Sequence, residues 1–144
     1  MTLREVVQAR GHENVSAEHA STFEVTSDEW LTPAGDCILA VEADRVPADF
    51  DDDFVAAASD ADATIEATLT ATTDGGETFA ETITGRGDPD LSFENERSHV
   101  GRTSDYVDDR TVLVGADAAA ADLDRDLVDA LAAGADLRFE LTVE

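Results

Sequence analysis

The sequence predicts a mainly β fold with two helices, built as a pseudo-two-fold tandem repeat of β-β-β-α-β units that together form an antiparallel β-sandwich. Three observations predict it. The second half restates the first, two segments place apolar residues every fourth position, and the other apolar residues alternate or run in short blocks between turn residues. A closed barrel of the double-psi kind is the alternative, suggested by Gly35-Asp36 leading into a strand.

The restatement falls in three blocks. "RGHENVSAEH" at 10–19 matches "RGDPDLSFEN" at 86–95, sharing arginine, glycine, serine and glutamate. Residues 39–60 match 112–133, sharing Val41, Ala43, Asp44, Ala48, Asp49, Asp51, Asp53, Val55 and Ala57. After a one-residue shift, "ADATIEATL" at 61–69 matches "ADLRFELTV" at 135–143. Composition alone would match roughly one position in ten. One domain over 1–144 is therefore expected, with repeat one at 1–74 and repeat two at 77–144.

Each repeat reads as the same series. A strand at 3–9, and again at 78–85, ends in an Arg-Gly turn where glycine can supply a positive φ. A second strand follows near 20–26 and 97–103, and then a Thr-Ser-Asp bend with an aromatic behind it, Trp30 or Tyr106. The third strand is the apolar run "CILAVEA" or "TVLVGA". Next comes a helix capped by Asp49 or Asp122, with Phe50, Phe54 and Ala58, or Leu123, Leu127 and Leu131, on one face. The last strand alternates through Ile65, Ala67 and Leu69, or Leu137, Phe139, Leu141 and Val143. Asp74-Gly75-Gly76 is the hairpin turn between repeats.

Charge narrows the habitat. Asp and Glu number 34 against 9 basic residues, all arginine, for a net charge of −25. Self-repulsion of that size is screened at molar salt, where the Debye length is about 3 Å, so the acidity reads as adaptation to a salt-rich cytoplasm. The N-terminus lacks the apolar core of a signal peptide, and no apolar run is long enough to span a membrane. Cys37 is the only cysteine, which excludes an internal disulfide and a CxxC zinc site. A nucleic-acid surface is not expected, because no basic stripe with interleaved aromatics exists.

The residues that could carry chemistry collect in few places. Arg10-Gly11 and Arg86-Gly87 pair a guanidinium with accessible backbone N–H groups, a combination suited to carboxylate or phosphate; each arginine could instead pair with Glu18 or Glu94. His12, Asn14 and His19 belong to the first copy alone, since Asp88 and Asn95 stand opposite the two histidines. Turn-making alone would require histidines in both copies, so specificity is expected there. His12 and His19, with Asp36, Cys37 or Asp88, would give zinc or iron an N/O/S ligand set, though their spacing matches no zinc template. Cys37 as a nucleophile competes with its place at the start of a buried strand. Arg102 and Arg110 stand out in "GRTSDYVDDRT", lining a cleft or neutralising Asp105, Asp108 and Asp109.

The segments "ARGHENVSAEH", "LTPAGDCI", "GRGDPDLSF", "GRTSDYVDDRTVLV" and "GADAAAADLDRDLV" resemble the archaeal domain of unknown function family 371, over nearly the whole chain. The resemblance implies a small cytoplasmic archaeal protein with a mainly β sandwich fold and no established activity, here of haloarchaeal type. Glu13 departs from a usual proline, Asp88 from a usual histidine and Ala118 from a usual lysine; the Asp88 change weakens any scheme needing a histidine in both turns.

The functional expectation is a non-catalytic module that holds a small anionic ligand between the two Arg-Gly turns. Arg10, Gly11, His12, Asn14, His19, Asp36, Arg86, Gly87, Arg102 and Arg110 are the candidate ligand-binding residues. A metal-dependent enzyme using His12 and His19, and a structural or oligomerisation subunit, are the alternatives.

Overall fold

The computed structural model describes residues 2–144. In chain order the elements are β1 (Leu3–Arg10), β2 (Thr22–Thr26), β3 (Ile38–Ala40), α1 (Asp52–Ala58), β4 (Thr64–Thr72), β5 (Thr78–Arg86), β6 (Ser98–Arg102), β7 (Thr111–Leu113), α2 (Arg125–Ala132) and β8 (Asp136–Val143). They build two four-stranded sheets, ordered β1-β8-β4-β5 and β3-β2-β6-β7. The first is antiparallel throughout, and its alternating strands turn one face inward, through Val7, Ile65, Ala67, Leu69, Ile83, Leu137, Phe139 and Leu141.

The second sheet is mixed. β2 and β6 are antiparallel at its centre, but β3 joins β2 in parallel and β7 joins β6 in parallel, each with a register irregularity. That departs from a wholly antiparallel arrangement. The long excursions from β2 to β3 and from β6 to β7 bring the chain back running the same way, which a tight hairpin could not do. A closed barrel is also set aside, because the ladders run within each sheet and the pairing between the two stops at the isolated bridges Arg10–Val41 and Arg86–Val114.

The apolar faces of the sheets meet at aromatic contacts. Phe23 of β2 sits edge-on to Phe139 of β8 at 6.3 Å, and His99 of β6 meets the same ring at 5.6 Å. Phe50 stacks on His99 at 5.5 Å and leads on to Phe54 of α1. Between β4 and β5 the expected hairpin forms, with Gly76 at φ +85.

The helices begin later than their sequence signal. Asp51 and Asp124 cap them, accepting from the N–H of Asp53 and Asp126, whereas Asp49 and Asp122 end short 3-10 turns and accept from the N–H of Val46 and Ala119. Two capping aspartates in succession make a local pattern ambiguous by one half-turn. Phe50 and Leu123 consequently lie before the helices in extended conformation, still pointing into the core.

The Arg-Gly turns need glycine for a reason other than a positive φ, which neither Gly11 nor Gly87 has. A Cβ on Gly11 would lie 1.9 Å from the Leu131 carbonyl oxygen of α2, and one on Gly87 would lie 2.1 Å from that of Ala58 in α1. Each turn is also tied down by a backbone bond, Gly11 N–H to Ala135 and Gly87 N–H to Ala63. Glycine here permits a turn to press on the end of a helix distant in sequence.

Candidate functional site

Of the sequence-predicted residues, Arg102 and Arg110 are the pair whose side chains the fold brings onto one partner. β6 holds Arg102, the chain entering β7 holds Arg110, and the loop between them folds Asp108 back beneath both. Asp108 Oδ2 accepts from Arg102 Nη2 at 2.9 Å and from Arg110 Nη2 at 2.9 Å, while Oδ1 accepts from the Arg110 N–H and the Thr111 hydroxyl. Arg102 Nε also donates to the Thr111 hydroxyl. Partial burial opposes charge on Asp108, but the hydrogen bonds from Arg110 and the charge of Arg102 outweigh it and hold the carboxyl at about 2. The same bond raises Arg110 above its ordinary value. Tyr106, 60% exposed, covers Arg102 with its ring centre 4.9 Å from the guanidinium carbon.

The two Arg-Gly turns do not share a cleft. Arg10 ends β1 at one edge of the first sheet, opposite Asp136, and Arg86 ends β5 at the other edge, opposite Thr64. Three strand spacings and the length of the sheet separate these diagonal corners by roughly 25–30 Å. Arg10 is paired with Glu42, while Arg86 reaches the Gly87 carbonyl at 3.3 Å and Asp88 at 3.9 Å; neither meets Glu18 or Glu94. Around Arg10 lie two open depressions, one of about 280 Å³ with Gly11, His12 and Glu13 against the end of α2, the other of about 320 Å³ with Gln8, Glu42 and Asp44.

His12 and His19 perform turn work. His12 Nδ1 accepts from the Asn14 N–H at 3.0 Å, and Asp88 Oδ1 accepts from the Asp90 N–H at 2.9 Å at the matched position. His19 Nδ1 accepts from the N–H groups of Ser21 and Thr22, and Asn95 Oδ1 accepts from those of Arg97 and Ser98. An imidazole Nδ1 thus replaces a carboxylate or amide oxygen as the acceptor that closes the turn. The difference between the two turn segments that pointed to specificity is one acceptor in place of another. Asn14 Nδ2 donates to the Leu31 carbonyl, and Asp36 contributes its carbonyl to the N–H groups of Glu18 and His19.

Among the described residues, no three His, Cys, Asp or Glu side chains gather as metal ligands. Cys37 faces Glu24, with Sγ 3.6 Å from the carboxylate, and burial together with that negative charge pushes its thiol up to about 11. It stays protonated at neutral pH and is a poor nucleophile.

Sequence reasoning missed three groups. Asp108, read there only as one of several neutralising acids, is the pivot of the arginine pair; its signal was its place between the two arginines in "GRTSDYVDDRT". His99 is fully buried with Nδ1 unpartnered and Nε2 against the Arg45 carbonyl at 2.9 Å. Arg125 bonds to five backbone carbonyls. Neither has a local sequence signal.

No helix of the described residues is long and apolar enough to cross a membrane. Residues 7–144 match the family model described as a domain of unknown function, DUF371. A Methanocaldococcus jannaschii protein described as uncharacterized is 34% identical over 138 residues, covering 96% of this chain and 98% of its own. With its two sheets, its two helices and this match over nearly its full length, the chain belongs to the DUF371 family.

Proposed function

We propose that the protein is a non-catalytic module that binds a small anion at the arginine cluster of the second sheet. The observation that carries this reading is the convergence of Arg102 and Arg110 on one Asp108 oxygen. Sharing one carboxylate holds both guanidiniums in fixed positions, while Nη1 of each has no hydrogen-bond partner among the described residues. Preorganised donors of this kind suit a carboxylate or phosphate. Glu24 and Asp109 stand near enough to act on Arg110, which restricts the ligand to a small anion reaching the Nη1 side. In about 2 M KCl, inorganic phosphate or a nucleoside monophosphate is expected to raise the melting temperature by roughly 8 °C at about 100 times its Kd. Arg110→Ala should abolish the shift. If no anion shifts the wild-type protein, or the shift survives in Arg110→Ala, this reading fails.

A structural role is the second reading. Trp30 and Tyr106 are 61% and 60% exposed, large apolar groups at matched positions in the two halves. Self-association in sedimentation that is lost in Trp30→Ser would favour it.

The domain is further proposed to be a single sandwich of two duplicated halves. Strand registers support this, because Glu24 pairs with Val100 and Thr68 with Glu140, matched positions meeting at the middle of each central ladder. The bridges Arg10–Val41 and Arg86–Val114 and the turn bonds of Gly11 and Gly87 recur as matched pairs. On this reading Ala63, rather than Ala61, is the counterpart of Ala135, since each accepts from the glycine of an Arg-Gly turn. A salt-adapted cytoplasmic host of haloarchaeal type follows from the charge of −25. Thermal unfolding should move upward steeply between about 0.1 M and 3 M KCl, and a flat profile would count against that habitat.

A further inference from the structure

The first sheet ends on β1 at one side and on β5 at the other, and the fold closes these edges to different extents. Along β1, Arg10 bonds to Val41, Gln8 donates to Asp44 Oδ1 at 2.8 Å and accepts from the Asp44 N–H at 2.9 Å, and the Val6 carbonyl accepts from Arg45 Nη1 at 3.1 Å. Arg4, its side chain 59% exposed, then carries a charge into the rest of that edge. Along β5 the cover begins alike, with Arg86 bonded to Val114 and both backbone groups of Thr84 bonded to Asp117. It goes no further, because the residue after Asp44 is Arg45 whereas the residue after Asp117 is Ala118, which has no side-chain donor.

Alternation along the β4–β5 ladder turns the N–H and C=O groups of Thr78, Ala80 and Thr82 to the same outer side as those of Thr84 and Arg86. Among the described residues, nothing bonds to them. The stretch is also short of charge. Thr78, Ala80 and Thr82 are exposed, and their β4 neighbours on that face are Thr72, Thr70 and Thr68. Glu81, the one charged residue in 78–85, lies on the opposite face and accepts from the Asp124 N–H at 2.9 Å. Open edges are ordinarily blunted by charged side chains, proline or a covering segment, and in a chain of net charge −25 this one has none of them.

We propose that β5 is the interface through which two copies of this chain pair, antiparallel and about a two-fold axis at Ala80. In that register Ala80 meets Ala80 of the second copy and Thr78 meets its Thr82, so every free backbone group of the stretch gains a partner. Charge favours a second copy as the occupant. Self-pairing of an acidic protein sets like charges against each other almost anywhere on its surface, but here the exposed face opposes only threonine and alanine. The same register brings Arg86, the one basic residue of β5, level with Asp74 of the second copy's hairpin turn. β5 lies in the other sheet from the Arg102–Arg110 cluster, and Trp30 follows β2, so neither surface is part of this interface.

The test is sedimentation of the full chain in about 2 M KCl, from about 1 µM to about 1 mM protein, with amide hydrogen exchange read at Thr78, Ala80 and Thr82. The expected result is a dimer whose formation slows exchange at these amides. Ala80→Pro removes an N–H that the β4 ladder does not use, and a solvent-facing edge accepts proline, so the fold should persist while dimerisation weakens by about tenfold or more. Ala80→Glu keeps the backbone groups but sets like charges across the axis, and should act in the same direction. Trp30→Ser should leave this dimer intact. A chain that stays monomeric at about 1 mM, which would leave the edge to a strand of another protein, would overturn the proposal. So would a dimer whose Thr78, Ala80 and Thr82 amides exchange as fast as in the monomer, or one that neither Ala80 variant weakens.

Discussion

Replacing Gly87 or Gly11 with alanine should unfold the protein more readily than any surface change. The added Cβ would approach the Ala58 carbonyl oxygen to 2.1 Å or the Leu131 carbonyl oxygen to 1.9 Å, and in each case the obstacle is helix backbone rather than a side chain that can swing away. Relief requires the turn to lift off the helix end, which stretches the bonds from Gly87 to Ala63 and from Gly11 to Ala135. Overpacking of this severity costs about 3 kcal/mol. That corresponds to a fall of roughly 10 °C in melting temperature for a chain of this size. Gly75, with only the Thr73 hydroxyl oxygen at 3.8 Å, is the control, and its alanine variant should lie within about 0.5 kcal/mol of wild type. Similar melting temperatures for Gly75→Ala and Gly87→Ala would refute the close-approach account.

Acid should destabilise the fold through His99. Burial pushes this imidazole down to about 4; the Arg45 charge acts in the same direction, while the bond to the Arg45 carbonyl and the charges of Asp49 and Asp44 act against it. The folded pKa lies below the unfolded value of 6.5, so the unfolded chain binds the proton more tightly. Above pH 6.5 both states are neutral and His99 contributes no pH dependence. As pH falls from 6.5 toward 4, stability drops by up to about 1.4 kcal/mol per unit, about 3 kcal/mol in all. His99→Phe places at this site the side chain found at the matched position, Phe23, which packs on Phe139 as His99 does. Carboxylates also titrate as pH approaches 4, so the quantity to measure is the difference between wild type and variant. That difference should be constant above pH 7 and move against the wild type between pH 6.5 and 4.5. A constant difference throughout would show that His99 is free to ionise in the fold.

The candidate site shows how far side-chain type can mislead. His12 and His19 drew attention because the second half has none in their places, yet Asp88 and Asn95 make the same acceptor bonds. Chemistry legible as rare residues was local hydrogen bonding. The arginine cluster was half legible, since Arg102 and Arg110 were expected either to line a cleft or to neutralise nearby acids. Which acid they meet depended on the fold of residues 103–110, where Asp108 turns back to Thr111 through its own N–H.

By itself the sequence determined the elements: alternation marked β4 and β8, four-residue spacing marked α1 and α2, and Asp74-Gly75-Gly76 marked the hairpin. These are properties of neighbouring residues, set by backbone period and turn chemistry. Only the tertiary structure decided that β3 and β7 join in parallel, that Arg10 and Arg86 stand at diagonal corners, and that Gly11 presses on Leu131. The physical reason is that sheet order and backbone contact depend on which distant segments exclude water together. Each such contact links residues far apart along the chain, where no local period records the partner.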